Sequence, residues 1–223
     1  MKIMTSQEMQ YPKSLVASVA KQLTDFQLEG FVPGYGQIPA QLMLVGEAPG
    51  RTELDTHKPF TGAAGRELDR WLGENQLSRE QLYITSAVRN RPFSVKPQPN
   101  GEMKYPNRTP SKKEVAFSAP LLDYEIQQVK PLIIATLGNI GLQRLLGKDY
   151  TVSHYHGQLL TQPIQQADPN HPGSYLLTER SYHIVPLYHP AAVLYARRLE
   201  PDIVEDWHKL SGYLKELQEE SGT

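Results

Sequence analysis

Apolar residues along this chain alternate between two spacings. Leu15, Val16, Val19, Leu23 and Phe26 recur at helical intervals and predict a helix over residues 12–27. Leu42, Met43, Leu44 and Val45, followed by Gly46, form a short continuous run suited to a strand buried on both faces. Residues 47–61 carry Gly and Pro and predict a loop. Ala63, Leu68, Trp71 and Leu72 then mark a helix over 62–75. Ser78 and Gln81 have the spacing of a capping box, and a second strand follows over 82–88. Residues 91–110, rich in Pro, Asn and Lys, predict a long loop. Thr109 as cap and Pro110 as first residue open a helix running to about Val129, with a kink at Pro120. A third apolar strand at 132–138 leads into a short helix at 139–146. Residues 151–163 suit a β-ribbon, 167–174 a loop tip and 182–187 a fourth strand. Ile203, Trp207, Leu210, Tyr213 and Leu217 give a polar C-terminal helix its inward face. Strands separated by helices predict an α/β fold, a three-layer α/β/α sandwich with a mainly parallel four-stranded central sheet, as one domain over residues 1–223.

Composition narrows the class. With 223 residues, 39% of them hydrophobic, the chain can bury a core without staples. It contains no cysteine, which excludes disulfides, thiolate nucleophiles and any Cys-held iron–sulfur cluster. No apolar run reaches the roughly 20 residues of a membrane span, and Met1 to Thr5 do not start a signal peptide. The expectation is a soluble, cytoplasmic monomer with no membrane contact. A net charge of −1 argues against a non-specific nucleic-acid coat but permits a local basic footprint. Residues 89–113 supply one, with Arg89, Arg91, Lys96, Lys104, Arg108, Lys112 and Lys113 against Glu102 alone.

Ligands of parallel sheets sit at the carboxyl ends of the strands. Three of the four strands run into unusual sequence there. Gly46-Glu47-Ala48-Pro49-Gly50-Arg51-Thr52-Glu53 follows the first. It is one residue short of a phosphate-binding P-loop and has Arg for Lys, so it is either a weak nucleotide site or a tight turn with two solvated carboxylates. Lys58-Pro59-Phe60-Thr61-Gly62-Ala63-Ala64-Gly65 combines a ring with a close-packing helix start. Phe60 is there a stacking face or a hydrophobic staple. Tyr188-His189-Pro190-Ala191-Ala192 follows the last strand. Its imidazole is either structural or a donor to an anionic oxygen. His154 and His156 would share one face of a strand as a metal pair does, but no third ligand is visible.

Taken in order, these three motifs resemble the uracil-DNA glycosylase superfamily, in particular its iron–sulfur branch with a Gly-Glu-Ala-Pro-Gly first motif. The resemblance covers roughly residues 40–217 and extends to Tyr83–Pro92 and Leu132–Gly147. It implies hydrolysis of the N-glycosidic bond of a damaged base, most simply uracil, flipped out of single- or double-stranded DNA during base excision repair. Glu47, Glu53 and His189 would be catalytic, with Glu53 on the water, Glu47 shaping the pocket and His189 on the departing base. Gly46, Ala48, Pro49 and Gly50 would line the base site, Phe60 would stack on the base, and Ser86 would read it. Arg89, Arg91, Lys112, Arg197 and Arg198 would contact DNA, and Leu194 or Tyr195 would wedge into the gap left by the base. No Lys stands where a Schiff base would form, so the enzyme would be monofunctional.

Two departures matter. The branch holds its cluster with four cysteines, and two of those positions are Asn90 and Ser118 here, so the expectation is no cofactor and no metal. Ser86 stands where the family has a base-reading Asn, and a hydroxyl offers one proton where an amide donates and accepts together. Three rival readings remain open: a non-catalytic DNA- or nucleotide-binding relative, a glycosylase for another deaminated base, and a nucleotide-binding regulator using the 46–50 turn.

Overall fold

The computed structural model describes residues 6–221. The expectation concerning the start of the chain falls on residues 1–5, outside the described residues. Among the described residues the central sheet has seven strands: β1 Gln7–Glu8, β2 Tyr35–Gly36, β3 Leu42–Gly46, β4 Tyr83–Ser86, β5 Ile133–Leu137, β6 Leu160–Ala167 and β7 Tyr175–Leu187. Their spatial order is β1-β2-β4-β3-β5-β7-β6. The four expected strands, β4-β3-β5-β7, are mutually parallel and form the centre. Antiparallel strands extend both edges, β2 and β1 beyond β4 and β6 beyond β7.

Among the described residues eight α-helices flank the sheet: α1 Lys13–Gln22, α2 Arg51–Thr56, α3 Ala63–Glu74, α4 Lys112–Val129, α5 Asn139–Leu146, α6 Val152–Tyr155, α7 Ala192–Tyr195 and α8 Glu200–Ser221. The period of two in the central strands divides the core between two layers. Leu42, Leu44, Ile84, Ile133 and Val185 face Leu68 and Trp71 of α3 and Ile203, Trp207 and Leu210 of α8. Met43, Val45, Tyr83, Ile134 and Ile184 face Leu122, Ile126 and Val129 of α4 and Leu145 of α5. The amphipathic α1 lies outside α4, where Val19 and Leu23 meet Leu121.

Several local expectations change. The 47–61 segment contains α2. Helix α4 starts after Ser111 rather than Thr109, because the Ser111 hydroxyl accepts from the Glu114 amide while the Glu114 carboxylate accepts from the Ser111 amide. The helix continues through Pro120. Residues 152–155 form the helical turn α6 and not a ribbon, so His154 and His156 do not share a strand face. The His156 Nδ1 instead meets the carboxylate of Asp206 at 2.9 Å. Residues 91–110 are not one loop. Arg91–Pro92 pairs with Leu28–Glu29, and Lys96–Pro97 pairs with Met103–Lys104. Among the described residues no helix is long and apolar enough to cross a membrane.

Candidate active site

A cavity of about 600 Å³ opens at the carboxyl ends of the parallel strands. That size lies within the range of small-ligand sites. Glu47, Ala48, Pro49 and Gly50 line it from the turn after β3, Phe60 from the segment before α3, Ser86 from the end of β4 and His189 from the turn after β7. Gly46 lies beneath the Phe60 ring, and a Cβ there would come within 2.5 Å of that ring. The turn after β3 is locked to β4 by backbone bonds, Ala87 N–H to Gly46 O at 2.9 Å and Val88 N–H to Glu47 O at 3.1 Å. Ser86 is thereby held beside Glu47.

The two carboxylates have different surroundings. Glu53 is 9% exposed and accepts three backbone N–H groups. Gly50 N donates to Oε2 at 3.0 Å, and Thr61 N and Gly62 N each donate to Oε1 at 2.9 Å. Its side chain staples the 46–50 turn to the Phe60 segment. Glu47 has a side-chain hydrogen bond with Thr109 but no such set of backbone donors, and burial in the cavity wall pushes its carboxyl above the usual range.

Phe60 is 8% exposed, with its ring centroid 5.7 Å from that of His189 and the planes 34° apart. Its backbone is left-handed, with φ of 56°. Arg79 holds this conformation, donating to Pro59 O at 3.1 Å and to Phe60 O at 2.5 Å while its Nε meets Asp69. In the turn that follows β7, Ala192 N donates to His189 O at 2.8 Å and Ala191 N donates to the His189 Nδ1 at 3.2 Å. An Nδ1 that accepts leaves the proton on Nε2. Desolvation lowers the pKa of this imidazole below the usual histidine value, which favours the neutral ring.

The basic footprint divides. Arg89 is 1% exposed, with Nη2 2.7 Å from Glu125 Oε2 and Nη1 donating to Ser86 O. Arg91 is 3% exposed and bound to Glu29, Asn107 Oδ1 and Tyr105 O. Neither guanidinium is available to a phosphate, which corrects the expectation for both. Their partners are distant in sequence, and charge alone did not distinguish a paired arginine from a free one. Lys112, Arg197 and Arg198 are exposed. Leu194 is exposed but off the cavity wall, whereas its neighbour Tyr195 is on it. Asn107, Arg108 and Thr109 also line the cavity and were not foreseen. In the sequence Arg108 is one cation of the basic footprint and Thr109 a helix cap, and neither pattern places them at the cavity.

The iron–sulfur cluster implied by the resemblance does not fit these residues. Asn90 donates through Nδ2 to Gly30 O, and Ser118 is buried with its hydroxyl unpartnered. Beside Ser118, Phe117 packs into an apolar cluster with Val19, Leu23, Phe26 and Leu121. Among the described residues no group of three His, Cys, Asp or Glu side chains is placed to hold a metal ion.

A family model described as the uracil DNA glycosylase superfamily matches residues 33–211. Three similar curated proteins are each named type-4 uracil-DNA glycosylase. The protein from Sulfurisphaera tokodaii is 34% identical over 180 residues, covering 80% of this chain and 72% of that protein. The one from Saccharolobus solfataricus is 34% identical over 184 residues, covering 80% and 74%. The one from Archaeoglobus fulgidus is 32% identical over 184 residues, covering 81% and 80%.

Proposed function

The chain belongs to the uracil DNA glycosylase superfamily, and on that premise we propose that it hydrolyses the N-glycosidic bond of uracil in DNA. The observation that carries this reading is the convergence of Glu47, Phe60, Ser86 and His189, drawn from four separated segments, on one cavity.

The target base must leave the stack to reach such a cavity. There its face lies on the Phe60 ring, its edge meets the Ser86 hydroxyl, and its O2 faces the His189 imidazole. As the C1′–N1 bond breaks, the electron pair moves to the base and the sugar becomes cationic. The Nε2–H of a neutral His189 donates to O2, where negative charge collects. Water adds to C1′ and gives its proton to a carboxylate. We assign that carboxylate to Glu47, reversing the expectation for Glu53. Both Glu53 oxygens already accept backbone N–H groups, whereas desolvation raises the basicity of Glu47. The Glu47 anion also faces the developing positive charge on the sugar. We take the working unit to be a single chain, because one chain supplies every group in this scheme.

The test is alkali cleavage of labelled oligonucleotides carrying uracil, hypoxanthine or xanthine, single- and double-stranded. Release at uracil, lost in His189→Ala and Glu47→Gln, is the expected result. Release at another base alone would transfer the specificity to what Ser86 reads and leave the mechanism in place. Binding without release at any base would overturn the enzymatic reading.

A further inference from the structure

Residues 93–107 fold into a braced two-stranded arm. Lys96–Pro97 pairs antiparallel with Met103–Lys104, and a tight turn through Gly101 closes the tip. At the root, Phe93 bridges Asn107. The buried Arg91 donates to the Asn107 side chain and to Tyr105 O. Arg108 donates from its backbone to Pro92 O at 3.1 Å and from Nε to Phe93 O at 3.0 Å. Two arginines therefore fix the arm to the body of the molecule.

The pairing places Lys96 directly opposite Lys104. Directly opposed residues of an antiparallel pair project from the same face with Cβ atoms about 5 Å apart, and like charges there are destabilising. Both side chains are exposed, and neither has an ion-pair partner among the described residues. Glu102, the only acid in the arm, is engaged by Asn100 at 2.9 Å. The fold thus holds two ammonium groups together on the ribbon, and Glu102, the arm's one acid, forms no ion pair with either among the described residues. The arm is rooted in the cavity wall, because Asn107 and Arg108 line the cavity. Three residue steps of chain lead from Lys104 to Asn107, at most about 10 Å, or roughly three base steps of a strand at 3.4 Å each.

We propose that this arm is a second DNA contact in which Lys96 and Lys104 together grip the phosphodiester backbone a few nucleotides from the flipped base. The proposal rests on the glycosylase reading, since DNA is the polyanion that reading brings to this wall. It assigns the footprint to the two lysines of the arm and removes it from Arg91, which acts as the brace.

Binding of the full chain to a labelled, undamaged duplex, measured by anisotropy between about 50 and 200 mM salt, tests it. Lys96→Gln/Lys104→Gln should flatten the slope of log K against log salt by nearly 2, at about 0.9 per phosphate contact. Lys104→Gln alone should give about half that change, and Lys96→Arg/Lys104→Arg should retain the original slope. The thermal midpoint of the double Gln variant should be unchanged or higher, since a like-charge pair is removed. An unaltered slope in a double Gln variant that still binds DNA overturns the arm and leaves the glycosylase reading intact. A wild-type chain that binds no DNA overturns both.

Discussion

Desolvation acts in opposite directions on the two side chains assigned to chemistry. It lowers the pKa of His189 and raises that of Glu47. Both are needed deprotonated, one to donate from a neutral ring and the other to take a proton. A free imidazole is half charged near pH 6.5, but His189 stays neutral below that point. Glu47 contributes an acid limb to the rate, moved up from the ordinary carboxylate position by burial. Base release under single-turnover conditions should stay level from pH 8 through 6.5 and fall only at lower pH. Glu47→Gln should remove that limb and slow release by about 10²–10⁴-fold, the usual contribution of a general base. A limb near pH 6.5 that persists in Glu47→Gln would identify His189 protonation as the controlling event and overturn this assignment. The candidates Glu47, Phe60 and His189 were legible in the sequence because each lies in a short ordered motif. The division of labour proposed for Glu47 and Glu53 was not, because it rests on the Thr61 and Gly62 amides folding back onto Glu53.

Helix α3 and the residues leading into it act as one positioning device. A left-handed Phe costs about 1–3 kcal/mol of strain, and only surrounding contacts can hold it. The Arg79 guanidinium supplies those contacts at Pro59 O and Phe60 O and bonds Gly65 O at 3.3 Å. Gly65 must lack a side chain, because a Cβ there would run into the Phe60 carbonyl. Gly65→Ala should therefore destabilise the protein by about 1–3 kcal/mol, as overpacking does, read from the denaturant midpoint. Arg79→Met should release the Phe60 backbone and weaken base binding, raising KM more than it lowers kcat. An equal fall in kcat with unchanged KM would show that Arg79 does not act through the ring. The period of α3 was plain in the sequence, but Arg79 lies 14 residues beyond Gly65 and nothing local links them. The edge strands Gln7–Glu8 and Tyr35–Gly36 escaped for a related reason. Two residues carry no period, and they are strands only because β4 is there to pair with Tyr35–Gly36, which in turn pairs with Gln7–Glu8.

Across the whole molecule, one buried polar network joins the layers under the cavity. Glu125 of α4 accepts from Tyr83 at 3.0 Å, from Thr85 at 2.7 Å and from Arg89 at 2.7 Å, and also from Tyr11 ahead of α1. Arg89 in turn donates to Ser86 O at the cavity wall. Burial opposes the Arg89 charge, but its neighbours, the Glu125 carboxylate foremost, together outweigh it and the net pKa is raised, so the guanidinium stays charged. Burial and the same anion push the Tyr11 and Tyr83 hydroxyls up, which keeps them neutral donors. A sequence shows five polar residues scattered from 11 to 125 and gives no sign that they meet, which is why Arg89 read as a surface cation. Removing one member of a buried ion pair strands the other and costs about 3–5 kcal/mol. Arg89→Met should lose about that much stability by chemical denaturation while leaving the salt slope of DNA binding unchanged in the folded fraction. A phosphate-binding Arg89 would do the reverse, flattening the slope by about 0.9 with little change in stability. The two readouts separate an arginine that holds the layers together beneath the base site from one that holds the substrate.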